Sequence, residues 1–278
     1  MLGETEYRVN LNPLVGLKRD VVLATHRPDD DLVSRKIHAQ RIWEPFETRL
    51  WIASQRPDDI VVDVGANLGY FSVLSAVHEN QAQRVLAFEP AADNVSLLQQ
   101  NLQLNKCDGV VELFPVALGD SDSGGSLHRN DDNRGDHQIY PGDGIRSQEP
   151  ITVRRGSDLL AHSLDHIDLL KVDTQGSEYA VMQGLFPLLQ ASVPKLRILL
   201  ELTPYSLQLA NSSGRALVTL IANLGLPLWI VDHVDHRLVS SDASALCEWA
   251  DNVDACTGDR GFMNIYAGTP PDGLTHET

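Results

Sequence analysis

The chain is poor in basic residues, in cysteine and in long apolar runs. It carries 22 Lys+Arg against 38 Asp+Glu, a net charge of -16. Without a long basic patch such a surface repels polyanions, so DNA and RNA are not expected as substrates, although a local basic pocket is compatible with the total. Cys107, Cys247 and Cys256 are widely and irregularly spaced. They make no metal pair, and an odd count in a chain of 278 residues does not suggest a disulfide scaffold, though a Cys247–Cys256 bridge is conceivable. No stretch reaches transmembrane length. Residues 1–10 carry charges and lack the apolar core of a signal peptide. A soluble, cytoplasmic protein without membrane insertion is the expectation.

What the chain does have is strands alternating with helices. Hydrophobic residues make up 42%, enough for a globular core. Ile60–Val64 is a short apolar run broken only by Asp63 and reads as a buried parallel strand. Gly65 and Gly69 follow, and an amphipathic helix begins near Tyr70. Further strands are read at Arg84–Phe88, Val110–Val116, Ile167–Val172, Arg197–Leu202, Leu228–Val231 and Phe262–Ala267, with short ones at Ile151–Arg154 and Leu238–Val239. Helices are read at Ala91–Asn105, Ser157–His162, Glu178–Leu189 and Arg215–Leu224. The alternation predicts an α/β fold with a doubly wound, mostly parallel sheet whose strand carboxyl ends share one ligand rim.

Two regions stand apart from this pattern. Before the first core strand, Leu32, Ile37, Ile42, Phe46, Leu50 and Ile52 follow a helical period interrupted at Pro45, which predicts a helical cap. Its apolar face suits a homodimer surface or the underside of a lid. The run 119–150 is rich in Gly, Asp, Asn and Ser. It reads as an active-site loop or a disordered insertion, and its place directly after the third strand favours the loop. The division is therefore 1–55 cap or extension, 56–268 main domain with a substrate loop at 119–150, and 269–278 flexible tail.

The turn after the first core strand is Gly65-Ala66-Asn67-Leu68-Gly69. By itself it fits a plain strand-to-helix connection as well as a ligand corner. It lacks the second glycine of a dinucleotide-binding turn, with Asn67 in its place, and the chain has no Gly-Lys-Ser/Thr phosphate loop. Asp63 before the turn opposes a pyrophosphate but suits a cation. The corner therefore fits a nucleoside bearing a sulfonium or amino-acid-like group, such as S-adenosylmethionine. Glu89, at the end of the next strand, stands where a carboxylate accepts from both ribose hydroxyls; the alternative is a strand-end charge facing solvent.

The ordered motifs DVGANLGYFS, AFEP, N-x-x-L-x-x-N-x-x-L-N, VALGD and LDHIDLLKVDTQGSE resemble the FkbM family of S-adenosylmethionine-dependent methyltransferases, over roughly Glu47 to Glu201. The resemblance implies a Rossmann-like methyltransferase fold with a seven-stranded, mostly parallel sheet. It implies O-methylation of a hydroxyl on a small polar natural product or sugar-containing metabolite. Asp63, Gly65, Asn67 and Gly69 correspond to the first cofactor motif, and Glu89 with Pro90 to the ribose carboxylate. Ala117 and Leu118, with Gly119, fall where adenine is bordered, and Asp120 is either an acceptor for the adenine amine or a turn aspartate. Asn94 and Asn101 are read as structural. The family's Lys-x-Asp-x-Glu-Gly-x-Glu run is here Lys171-Val172-Asp173-Thr174-Gln175-Gly176-Ser177-Glu178, so Gln175 replaces a glutamate.

An alcohol acceptor benefits from a base as its proton leaves. Asp173, Glu201, His137 and Asp143 are the candidates, with Asp173 and His137 placed first and Asp173 also bordering the cofactor. His137 is otherwise a surface loop histidine. Lys171 is expected to face elsewhere, and if buried it needs a carboxylate partner. Glu178 suits capping of helix amides or the acceptor pocket. Asp173 and Glu201 would bind a divalent metal ion if they converged, but no compact ligand motif is present, and no metal is expected. N- or carboxyl-methylation, or a non-catalytic cofactor-binding partner protein, are the alternatives to O-methylation.

Overall fold

Local signals place most of the elements in the computed structural model, which describes residues 7–141, 146–256 and 258–275. Strands β1 (Tyr7–Asn10) and β2 (Val22–Thr25) pair antiparallel. Asp31 accepts from the Ser34 N–H at 2.8 Å and starts helix α1 (Leu32–Gln40). Pro45 occupies the first turn of α2 (Pro45–Ser54), where its missing N–H is harmless. The cap is thus part sheet, and its apolar face is not free. Ile37, Phe46, Leu50 and Trp51 are buried against this chain's own core.

The core elements follow: β3 (Ile60–Val64), α3 (Tyr70–Val77), β4 (Arg84–Phe88), α4 (Ala92–Leu104) and β5 (Val111–Phe114). Next come β6 (Ala117–Gly119), β7 (Ser123–Arg129), β8 (Ser147–Arg155), α5 (Gly156–Leu160) and β9 (Leu169–Val172). Then α6 (Glu178–Ser192), β10 (Arg197–Leu202), α7 (Pro204–Leu209), α8 (Gly214–Ala222), β11 (Leu228–Asp232), β12 (Arg237–Ser241), α9 (Ala243–Ala255) and β13 (Met263–Ala267) complete the order. The main sheet runs β12-β11-β13-β10-β9-β3-β4-β5. It is parallel from β10 to β5 and antiparallel at β13, β11 and β12. It has eight strands rather than the expected seven, because Arg237–Ser241 continues from the 232–237 turn as a hairpin partner of β11.

Both faces of the sheet are covered. Val61 and Leu169 belong to one apolar cluster with Leu74 and Leu98, while Val62 and Leu170 belong to another with Met182 and Leu185. Alternate residues of one strand thus face opposite helix layers. The run 119–150 is not a structureless loop. β7 and β8 pair antiparallel and, with β6, form a separate three-stranded sheet, leaving 130–146 as the connection. Within the expected tail, Leu238 N–H donates to Leu274 O at 2.8 Å. Cys107, Cys247 and Cys256 are all free thiols. Among the described residues no helix is long and apolar enough to cross a membrane.

Candidate active site

The β3–α3 turn brings the first side chains together. Gly65 has φ +81°, and a Cβ there would lie 1.9 Å from Asp173 O. Asn67, at φ 51°, adopts the left-handed conformation that asparagine tolerates better than most residues. Its N–H donates to Glu89 Oε2 at 2.8 Å, and its side-chain amide reaches Arg134 O at 3.4 Å. Glu89 Oε1 accepts from Ala91 N–H at 2.9 Å. Asn94 lies behind it, within 3.5 Å of the same oxygen. Glu89 is therefore a buried carboxylate held by backbone amides, not a solvent-facing charge. Burial pushes its pKa up to about 7, against the opposing hydrogen bonds from Ala91, Asn67 and Asn94.

One cavity is lined by Gly65, Asn67, Glu89, Pro90, Ala117 and Leu118 together with Asp173, Gln175 and His137. Residues read as cofactor-binding thus meet on one wall, and their chemistry fits a nucleoside. Pro90, Leu118 and Leu127 offer apolar surface, Glu89 a carboxylate, and His137 a buried ring nitrogen without a partner among the described residues.

Three expected cofactor residues do not line this cavity. Asp63 is 1% exposed and does not line this cavity or the one under the cap. Its Oδ2 accepts from Ser72 Oγ at 2.6 Å, and it stands beside Lys171 across the β3–β9 pair. Its cationic neighbour in the structure is Lys171. Gly69 starts α3 at φ +87°, where a Cβ would meet Leu98 Cγ at 2.9 Å, so its role is packing. Asp120 is exposed and bonded to Ser121 Oγ at 2.9 Å, because the chain turns outward between β6 and β7. Asn101 is structural: it bonds the Ala24 backbone on both sides and donates to Leu68 O at 2.7 Å.

The end of β9 forms the second half of the site. Lys171 does not face away from Asp173. Asp173 directly follows β9 and lies two residues from Lys171, so they share a face, and Nζ donates to Asp173 Oδ2 at 2.8 Å while sitting 4.7 Å from the Phe71 ring centroid. Burial alone would lower the Lys171 pKa, but Asp173, Asp63 and Glu44 outweigh it and hold it above its ordinary value. Gln175 Nε2 donates to Asp173 Oδ1 at 3.0 Å and to Glu201 Oε2 at 2.8 Å. The substituted amide thus joins two carboxylates that a glutamate would repel. Burial first, then Asp173, Glu178 and Glu44, raise the Glu201 pKa well above the usual carboxylate range. Glu44, missed in the sequence, is pushed up to about 8 by burial, with Lys171 opposing. Glu178 accepts from Thr174 and Gly176 N–H groups at 2.8 and 2.9 Å, so it fixes the 174–176 turn. Among the described residues no group of three or more His, Cys, Asp or Glu could hold a metal ion.

Gln175 also borders two further cavities. One runs under the cap past Val33, Trp43, Tyr70 and Phe71 to Asp173 and Glu201. The other is walled by Asp136, Gln138, Arg146, Glu201, Thr203 and Tyr205. Phe262 borders both. The expected base His137 is in neither. It lines the Glu89 cavity instead, its Nδ1 accepts from Asn130 N–H at 3.0 Å, and burial pushes its pKa down to about 4. A ring so placed is a poor proton acceptor at neutral pH. Asp143, the other loop candidate, lies outside the described residues.

A glycine corner, a buried carboxylate at the end of the next strand and a carboxylate just after the fourth parallel strand fit the class of S-adenosylmethionine-dependent methyltransferases. Comparison with known proteins gives the family. The methyltransferase FkbM domain matches residues 63–225, more than half of the chain, and the chain belongs to that family. "Methyltransferase 1" of Beauveria bassiana is 30% identical over 163 residues, 51% of this chain and 65% of that protein. "Methyltransferase sdnD" of Sordaria araneosa is 30% identical over 184 residues, covering 54% and 70%. "Hexuronic acid methyltransferase AglP" of Haloferax volcanii is 26% identical over 147 residues, covering 51% and 56%. The chain thus spans less than two thirds of the Beauveria and Haloferax proteins. The crystal structure of a methyltransferase FkbM from Methylobacillus flagellatus is similar at TM-score 0.46 and 16% identity, covering 76% of this chain and 43% of that one.

Glu89 gives a pH prediction. Its ionised form offers more acceptor sites to ribose hydroxyls than its protonated form. Because burial raises its pKa to about 7, affinity for S-adenosylhomocysteine should fall as pH is lowered through neutrality. Glu89→Gln should weaken binding by roughly 1.5–3 kcal/mol and remove that pH slope. Calorimetry of both proteins across neutral pH checks it; equal slopes would take Glu89 out of the site.

Proposed function

We propose that the protein is an O-methyltransferase that methylates a hydroxyl of a small polar natural product or sugar-containing metabolite. The observation that carries this reading is the meeting of the cofactor cavity with the two others at Gln175, with Asp173 bordering the first two. S-adenosylmethionine, when bound, supplies an electrophilic methyl group on its sulfonium sulfur. Asp173 is the group that takes the acceptor's hydroxyl proton. Lys171 and Gln175 hold its two oxygens, so the carboxylate is oriented before the acceptor arrives. Glu201, whose pKa burial raises well above the usual carboxylate range, borders the same junction, where its protonated form would donate to an acceptor oxygen. Gln138 Oε1 and Thr203 Oγ1 are buried without hydrogen-bond partners among the described residues, and both residues line the outer cavity. They are the groups a polyhydroxylated acceptor would satisfy. The hexuronic acid methyltransferase among the relatives supports a sugar-like acceptor. The net charge of -16 speaks against a nucleic-acid acceptor.

Incubation with methyl-labelled S-adenosylmethionine and a panel of hydroxylated metabolites tests the reading. The expected product is a base-stable methyl ether. A base-labile methyl ester, or label on nitrogen, would replace O-methylation by the corresponding reaction. Glu201→Gln should raise the acceptor KM and leave affinity for S-adenosylhomocysteine within about twofold, less than one hydrogen bond is worth. A selective loss of cofactor affinity would remove Glu201 from the acceptor side.

A further inference from the structure

The connection between β7 and β8 presents two faces. Gln138 makes an isolated antiparallel bridge to His128, exchanging both backbone hydrogen bonds at 2.7 and 3.1 Å. The segment 136–139 is thereby extended, and side chains alternate across it. His137 and Ile139 line the cofactor cavity. Asp136 and Gln138 line the outer cavity. One stretch of backbone is the wall between the two.

Each face carries one polar atom without a partner among the described residues: His137 Nε2 on one side and Gln138 Oε1 on the other. Their chemical senses are fixed by their neighbours. His137 Nδ1 accepts from the Asn130 N–H, so in the neutral ring the proton is on Nε2, which is a donor. Gln138 Nε2 donates to Asp136 Oδ1 at 3.0 Å, which leaves Oε1 as an acceptor. The wall is anchored on both sides. Arg146 binds Asp136 at 2.9 Å, Tyr140 OH donates to Gln175 O at 2.6 Å, and Arg134 N–H donates to Asp31 Oδ1 of the cap at 2.9 Å.

We propose that segment 136–139 is the partition between cofactor and acceptor, and that His137 Nε2–H is a hydrogen-bond donor to the adenosine part of the cofactor. The adenosine part is indicated because His137 shares its cavity with the Glu89 carboxylate and with the apolar surface of Pro90, Leu118, Leu127 and Ile139, which suits a flat heteroaromatic ring. The proposal rests on the reading of this cavity as the cofactor site. His137 is then a cofactor-binding residue and not the base.

The test uses S-adenosylhomocysteine and adenosine as probes in calorimetry. His137→Phe keeps a ring but loses the donor. It should raise the dissociation constant of both probes about tenfold, the scale of one hydrogen bond to a buried donor. His137→Gln, which restores an N–H at similar reach, should recover most of that loss. Gln138→Leu, on the opposite face, should leave both constants within about twofold. Nitrogen NMR of the wild-type ring gives a second readout that needs no variant to fold. A neutral ring protonated on Nε2 across neutral pH is expected among its charged neighbours Asp93, Asp131, Arg129 and Arg134, and its Nε2 signal should move when S-adenosylhomocysteine binds. Unchanged constants in His137→Phe, or a ring protonated on Nδ1, would overturn the proposal. An effect seen with S-adenosylhomocysteine but not with adenosine would overturn the adenosine assignment. Wild-type protein that binds neither probe would instead overturn the cofactor reading itself.

Discussion

Gly65→Ala should abolish S-adenosylhomocysteine binding and destabilise the protein. The added Cβ would sit 1.9 Å from Asp173 O, far inside van der Waals contact, and the atom it meets is backbone. A flexible side chain could swing aside, but the β9 exit cannot. Asp173 N–H is itself hydrogen-bonded to Val64 O at 3.0 Å, so the two strand ends are tied together where they would have to part. The φ of +81° adds a left-handed conformation that alanine disfavours by about 1–2 kcal/mol. With overpacking the total is about 3 kcal/mol or more. In a chain of this length that lowers the melting temperature by roughly 6–12 °C. Gly124→Ala is the control, since a Cβ there meets nothing within 4 Å. Thermal melts with and without S-adenosylhomocysteine check both parts. A Gly65→Ala protein that is still stabilised by the ligand would show that the corner does not need this close approach.

Asp173→Asn should lower turnover on the order of 10²-fold or more while S-adenosylhomocysteine affinity stays close to wild type. The amide keeps the shape and a carbonyl oxygen for Lys171 or Gln175. It cannot take a proton. Asparagine is the informative substitution, because alanine would strip the buried Lys171 ammonium of its nearest counter-charge, and breaking a buried pair from one side costs about 3–5 kcal/mol. Asp63 and Glu44 remain near Lys171 in the asparagine variant, so the fold should persist. Single-turnover rates with an acceptor found in the labelling screen, together with a melt, separate the chemical effect from the structural one. Full activity would leave positioning alone to carry the reaction. A loss matched by an equal loss in cofactor affinity would make Asp173 a binding group instead.

Much of this site was legible in the sequence because its parts are local. The run Ile60–Val64, the glycines after it and Glu89 at the next strand end stand out on periodicity and turn chemistry, and the ordered motifs that follow resemble one family. The Lys171–Glu178 run shows where the fourth strand ends. Helix α9 was legible and was missed. Asp242 caps it by accepting from Ala245 N–H at 2.9 Å, and Leu246, Ala250 and Val253 follow at helical spacing. β7 was harder, since Ser123–Arg129 begins with Ser-Gly-Gly-Ser and carries one buried apolar residue, Leu127. Only pairing with β8 makes it a strand.

The sequence by itself determined the alternation that builds the sheet, the corner at Gly65–Gly69 and the family. These rest on short-range periods and on residues adjacent in the chain. The tertiary structure alone decided which groups face which. Gly65 is required because a carbonyl 108 positions later lies against it. Asp63 serves Lys171 because β3 and β9 are neighbours in register. Glu89, Glu44 and Glu201 have raised pKa values because burial removes water from them, and burial is a property of the packed chain. His137 faces the Glu89 cavity because the bridge from His128 to Gln138 sets the parity of the segment. Shifting that register by one residue would exchange its two faces.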